Sequence, residues 1–470
     1  LGTTFKVADG GFDIGTPQKV KELAVLRPGF YVPITDYSTF REAKITFSVH
    51  GTTRAAVLNA INNLSRTVRR ISSRVRVGAG TRVELVYSWE GATDWTYFEV
   101  YTGDLKFPDD HLSVEKMHMS IDGKYVMQDC ELTLTLSANG YALSLFAAPL
   151  ELPLYRDDPG TKSTVGLDVQ NPGSGQYNYV TIDAADIAGS EPMITKLILT
   201  SGSPYTAWKQ LYIGHQVTPF PTTLLLDNSD LDLGSGSDVS DSSANGGSYR
   251  SVTYSGTNPT YGYFADFGWN IGNASMGNFL AFIHLFKSAG SPIPSPFPFH
   301  LAVGVDDYTH WGVRYVNDWV TMNGSDPVTS LPLGQIQLPP SDPALEGVGT
   351  LDDTLMTGLF VSYEAGGGTL KFDYLYLLPI LNGIRSWRAR LSYLTGTMVD
   401  DDWQGLTYLK DGSNKISTPF FNLMDSIKLE PGLTQRLYFF GVGYQNSEDE
   451  RQREFNVRVL GVPTYSSLAL

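Results

Sequence analysis

In 470 residues, a single segment carries apolar side chains at helical spacing. Val57, Ile61, Leu64, Val68 and Ile71 recur every four and three positions, and at about 100° per residue they fall within roughly ±40° of one direction. Asn59, Asn62, Arg66, Arg69 and Arg70 fall on the opposite half. With Thr52 or Thr53 as cap, the spacing predicts a helix from 54 to about 73 that lays one stripe on a sheet and turns an arginine-rich face to water or a partner. Other regular segments alternate with period two: 43–49 imperfectly, 83–87 and 131–136 cleanly, with Leu132, Leu134 and Leu136 on one face. A chain with one helix must build its cores from sheets, and 47 Gly and 26 Pro supply the turns. The expected fold class is mostly β.

Such a length suggests about two to four domains, and charge suggests where they divide. Residues 1–150 hold 16 basic and 16 acidic groups, 151–385 hold 9 and 23, and 386–470 hold 9 and 10. Nearly all of the net charge of −15 therefore sits in the middle. Two near-neutral ends around an acidic centre predict that 1–150 and 386–470 fold together as one discontinuous domain, with 151–385 inserted. The acidity argues against nucleic-acid recognition, since phosphate is repelled by most of such a surface. No run of eighteen or more apolar residues is present, so no membrane span is expected. Leu1 opens the chain without the charged and apolar regions of a leader and is not Met, so the true start is expected upstream. The lone Cys130 makes no internal disulfide and leaves no thiolate set for zinc or iron–sulfur binding, so no cofactor or metal is expected.

Residues 159–175, rich in Pro, Gly, Ser and Thr, read as a linker. Beyond them come short β segments, including 195–200 and 210–214, with 360–363 and 370–378 closing what reads as a β-sandwich. The polar stretch 227–251 reads as loop. At the C-terminus, 435–440 and 454–459 flank the charged run 445–452, which predicts a hairpin returning to the first domain's sheet.

Enzymatic signatures are absent: there is no nucleophile elbow, H-E-x-x-H, Walker loop or G-x-G-x-x-G. Of seven His residues, only His111 and His118 are near neighbours, and their spacing places them on opposite faces of a strand. Asp230, Asp232 and Asp241 echo a calcium loop, but Gly234 and Ser235 stand where a ligand and the turn glycine are needed, so a solvated acidic loop is the better reading. Arg66, Arg69 and Arg70 are candidate assembly contacts, against a plain solvated helix face. The 26 Tyr, 23 Phe and 8 Trp exceed what the cores require, and Tyr261, Tyr263 and Trp269, after a Gly- and Asn-rich loop, are candidate rings for stacking on a sugar, against core packing.

Several segments resemble phage tail proteins of the distal-tail and tail-tube kind: the strand–helix unit 43–75 (AKITFSVHGTTRAAVLNAINNLSRTVRRISSRV), the strand 82–89, the phrase KFDYLYLLP at 371–379 and IKLEPGLTQRLYFF at 427–440. The resemblance implies a tail-tube-like β-sandwich with one covering helix, forming a ring about the tail lumen from 1–150 and 386–470. The middle, with SSANGGSY at 242–249 and its closing FDYLYLLP, resembles a galactose-binding-like jelly roll, which implies a decorating or saccharide-binding role.

The expected function is therefore a structural virion protein that pairs with itself and other tail proteins, located in the virion, with host-surface glycan as a further partner and no catalytic residues. A secreted or cell-surface carbohydrate-binding protein is the alternative, and a glycoside-acting enzyme the third reading. Mass distinguishes the first two, because a ring elutes far above 51.6 kDa.

Overall fold

The computed structural model describes residues 4–17, 19–27, 30–77, 83–88, 94–108, 118–119, 123–155, 167–168, 179–201, 210–221, 224–231, 233–234, 236–242, 244–254, 267–270, 277–285, 299–307, 312–316, 318–322, 330–338, 355–363, 368–388, 397–403, 406–411, 414–417, 420–422, 427–442 and 454–466. They are mostly antiparallel strands, with one α-helix. The chain divides into two compact units: 1–149 with 188–193 and 462–470, and 150–187 with 194–461.

The first unit is built from β1 (Phe5–Asp13), β2 (Lys19–Arg27), β3 (Phe30–Ser38), β4 (Phe40–Gly51), α1 (Arg54–Val77), β5 (Glu84–Tyr87), β6 (Thr96–Lys106), β7 (His118–Met119), β8 (Tyr125–Ser137) and β9 (Gly140–Tyr141). Its sheet runs β1-β4-β8-β6-β9, with β5 beside β6 and β7 beside β8. Register pairs Ala43 with Leu134 and Ile45 with Leu132, so the alternation read in the sequence puts one apolar face under α1. Val57, Ile61, Val68 and Ile71 are buried there, whereas Leu64 is only half-buried. Gly103 sits where helix meets sheet: a Cβ there would lie 3.1 Å from both Val68 and Leu134. Cys130 is enclosed in this core, and burial, with Asp129 adding, pushes its thiol up to about 11, so it stays protonated and unreactive.

Thr464 and Tyr465 pair with Tyr141 and Gly140. Buried Arg41 donates to the carbonyls of Ala138 and Ser466 and lies 4.9 Å over the Phe98 ring.

The second unit is layered. One sheet runs Tyr179–Ile182, Gln435–Val442, Gln210–Val217, Gly383–Arg388, Phe420–Asn422. A second runs Ser237–Ser240, Ser248–Tyr254, Gly368–Pro379, Gly277–Leu285, Ser330–Leu338, and a third is centred on Leu355–Tyr363 and Phe299–Asp307. The second and third enclose one core, to which Phe279, Ala281, Ile283, Leu301, Val303 and Leu359 belong. The other face of the second sheet meets the first through rings: Phe282 lies 4.8 Å from Tyr212 and 4.3 Å from Phe440, and Tyr376 stacks on Phe440 at 4.8 Å. Strand Gly368–Pro379 is therefore buried on both faces, which is why its sequence runs apolar without alternating. A bulge at Asp373, opposite the step from His284 to Leu285, lets Leu370 and Phe372 and then Leu375 and Leu377 face the same core.

Three expectations differ from what is observed. Strand Gln435–Val442 pairs with 179–182 and 210–217, Gly383–Arg388 pairs with 210–215, and among the described residues of the C-terminal strands only Thr464 and Tyr465 pair with β9. Charge reports surface loops, whereas pairing follows apolar faces, and Gln435–Val442 carries Leu437 and Phe439 on one side and Tyr438 and Phe440 on the other, so it needs a layer on each. Gln435–Val442 and Glu454–Tyr465 lie in different sheets and do not form a hairpin. Within 227–251, expected to be loop, Ser237–Ser240 pairs with Ser248–Ser251. Val239 and Tyr249 turn inward from that pair and Gly246 and Gly247 take positive φ at its turn, so few apolar residues sufficed.

Candidate functional site

The arginine-rich face of α1 is the surface that the fold leaves most distinctive. Thr53 Oγ1 accepts from the Ala56 amide at 3.1 Å and caps the helix, choosing between the two threonines. From there α1 carries six arginines and no acidic residue, in a chain whose net charge is −15. With Val57, Ile61, Val68 and Ile71 fixed inward, Asn59, Asn62, Arg66, Arg69 and Arg70 are all exposed, as their spacing predicts. Arg66 and Arg69 make no ion pair among the described residues. Beside this face, the first turns of α1, the start of β1 and the end of β4 line a groove of about 690 Å³ that includes Asn59, Asn63, Thr67, His50 and Lys124. Leu64 opens onto that groove, which accounts for its partial burial.

The β2–β3 hairpin is the second feature. Lys19–Arg27 and Phe30–Ser38 pair antiparallel from Lys19 opposite Ser38 to Arg27 opposite Phe30, with register shifts between Glu22 and Leu23 and between Val25 and Arg27, and among the described residues the two strands pair only with each other. At the far edge of the main sheet, β1 pairs among the described residues on one side only, with β4, and its register slips between Val7 and Phe12 where Gly10 takes φ +69°.

Sugar-stacking candidates fare differently. Trp269 lies on Phe267–Asn270, paired with Thr357 in the third sheet, while Tyr261 and Tyr263 lie outside the described residues. Six other rings, Tyr212, Phe282, Tyr374, Tyr376, Tyr438 and Phe440, have a structural use as the buried layer between sheets. Asp230 is exposed and accepts from the Asp227 amide, Asp241 is half-buried, and Asp232 lies outside the described residues. No cluster of three or more metal-ligating side chains occurs among the described residues.

Two buried polar clusters escaped sequence reasoning. His284 Nδ1 lies 2.7 Å from Ser330 Oγ and its Nε2 3.7 Å from Asp373 Oδ2, but Ser330 is 1% exposed and Asp373 0%, so a substrate has no approach to the hydroxyl. In the other, Arg385 grips Asp400 with two nitrogens at 2.6 and 2.9 Å and reaches Asp402 at 3.0 Å, while Lys196 pairs with Asp401 at 2.7 Å. Thr407 adds a hydrogen bond to Asp400. Burial still pushes the Asp400 carboxyl up to about 6 against the pull of Arg385, and raises that of Asp402. The run Asp400–Asp402 was the only sequence signal for this cluster, and nothing local named its partner.

No family model and no curated protein matches the chain. Solved structures that the chain matches include phage tail hub and baseplate proteins. One is the Dit protein of phage SPP1, described as a paradigm of the hub adsorption apparatus in phages infecting Gram-positive hosts. It is 8% identical over 98% of this chain and 93% of that one, with a TM-score of 0.25. The phage p2 baseplate in its activated conformation with Sr is 11% identical over 79% and 91%, with a TM-score of 0.22. The same baseplate with Ca gives 11% over 78% and 91%, with a TM-score of 0.17. Scores this far below 0.5 leave a shared fold unestablished.

Proposed function

We propose that this protein is a structural subunit of a phage tail that assembles with itself into a ring or tube through the first unit. The β2–β3 hairpin carries the reading. Two nine-residue strands that, among the described residues, pair only with each other are marginal in water, because a two-stranded sheet has no second layer to bury a face. Such an arm is stabilised when it meets another chain, and a repeated contact with a closing rotation makes a ring. The resemblance of 43–75 and 427–440 to tail proteins supports the same role, and other tail proteins are then its neighbours in the virion. The sandwich of the second and third sheets is proposed as a jelly-roll module that decorates the tail or binds surface saccharide, with Trp269 as the ring to test.

The test is the mass of the full chain by light scattering. Assembly predicts a discrete multiple of 51.6 kDa that returns to the single-chain value when 19–38 is replaced by a short flexible linker. A wild-type chain that stays at 51.6 kDa at every concentration overturns the reading and favours a monomeric carbohydrate-binding protein.

A further inference from the structure

The helix α1 holds six arginines, no lysine and no acid, and these six alone bring residues 1–150 to charge balance. A helix needs no such concentration for its own stability. Only arginines near its C-terminus interact favourably with the dipole, and Arg54 sits in the first turn, where a cation is unfavourable. Nor does the core need it, since the stripe facing the sheet is apolar and complete without these residues. Arg66 and Arg69, three apart, project from the same exposed face as Asn59, Asn62 and Asn63, giving a stripe of planar donors along several helical turns. Guanidinium forks match carboxylates bidentately, and amide donors can supply the remaining hydrogen bonds.

Within this chain, the complement is the acidic middle: 23 acidic against 9 basic groups in 151–385. The arginine stripe occurs once per copy and is not self-complementary, and Asp230 and Asp318 are exposed acids of the acidic portion. That is the composition of a heterologous contact, in which one copy's basic face meets the next copy's acidic face and the same step repeats around a ring. We infer that the Arg66–Arg69 face of α1 docks on the acidic 151–385 portion of a second copy. This rests on the assembly reading above and names its partner surface.

The experiment uses the full chain at 50 and 500 mM salt, with Arg66→Glu/Arg69→Glu as the variant, mass as the readout, and helical circular dichroism with the thermal midpoint as the fold control. The wild type is expected to assemble at the lower salt and weaken at the higher, because exposed charge pairs are screened. Charge reversal is expected to lower the association constant about tenfold or more at low salt while leaving the fold control unchanged. Should reversal disturb folding, Arg66→Gln/Arg69→Gln gives the same comparison with a smaller drop. If either folded variant assembles like the wild type, the inference falls and the ring reading stands. A wild type that never assembles defeats both, and salt-independent assembly defeats the acidic partner. Duplex DNA retained by the wild type and lost by the variant would reassign the stripe to phosphate and overturn the proposal. Arg66→Lys/Arg69→Lys keeps the charge and supplies amines for zero-length carbodiimide crosslinking. In a mixture of heavy- and light-isotope copies, crosslinks into 151–385 of the other copy are expected, and crosslinks confined to 1–150 or 386–470 contradict the assignment.

Discussion

The two units answer the same problem, a sheet with an apolar face, in opposite ways. The first covers one face of a single sheet with one helix and leaves the other face polar, with Glu42, Lys44, Thr102 and Asp104 exposed. The second stacks sheet on sheet, so that Gly368–Pro379 is enclosed on both sides and rings fill the space between layers. Tyr212, Phe282, Tyr374, Tyr376, Tyr438 and Phe440 are consumed internally there, while the first unit presents an edge strand, a two-stranded arm and an arginine face. Part of the abundance of Tyr and Phe thus reported layering.

If that contrast is right, cutting into the interlayer rings should do the most damage. Phe282→Ala removes a fully buried ring that touches both Tyr212 and Phe440 and is expected to destabilise the second unit by about 3 to 5 kcal/mol, measured by denaturant unfolding. A loss below about 1 kcal/mol would mean that the layers do not share a core. Arg385→Gln is expected to cost about 3 kcal/mol, because it strands the buried Asp400 carboxylate.

The Asp400 cluster also gives the second unit a pH signature. Its folded carboxyl titrates at about 6, above the ordinary 3.8, so the folded state holds the proton more tightly. The resulting stabilisation is fully present below about pH 4 and lost as pH rises through about 6. Hydrogen exchange in 383–388 and 397–401, corrected for intrinsic rates, should therefore show greater protection at pH 5 than at pH 7 in the wild type, with a flatter profile in Asp400→Asn. Equal slopes would place the titrating group elsewhere.

Smaller effects are expected in the first unit. Leu64→Ala, half-buried at the groove, is expected to cost about 1 kcal/mol, against roughly 2 to 5 for a fully enclosed leucine. Arg66→Gln/Arg69→Gln should leave the stability of the single chain within about 0.5 kcal/mol, since both side chains are exposed and make no ion pair among the described residues. A larger loss would show them to be structural.

What could be read from sequence follows the same division. Segments 43–49 and 131–136 alternate because one face is wet, and α1 shows its stripe for the same reason, so sheet, helix and covering face of the first unit were all legible. Gly368–Pro379 and Gln435–Val442 are apolar on both sides, and such a run says that a strand is buried without saying between which layers. The pairing of 435–442 with 210–217 therefore could not be derived, and the charge split pointed elsewhere. The arginine face was visible from spacing alone, whereas the groove beside it depends on how β1 and β4 end near the helix, which no local pattern encodes.

The central claim, that this chain is an assembling subunit, is tested most directly by imaging the purified 470-residue chain by negative-stain electron microscopy at micromolar concentration and low salt. Closed rings of one rotational symmetry are the predicted result, breaking up when the β2–β3 arm is replaced. Fields of separate particles of single-chain size, unchanged by concentration and salt, would contradict it.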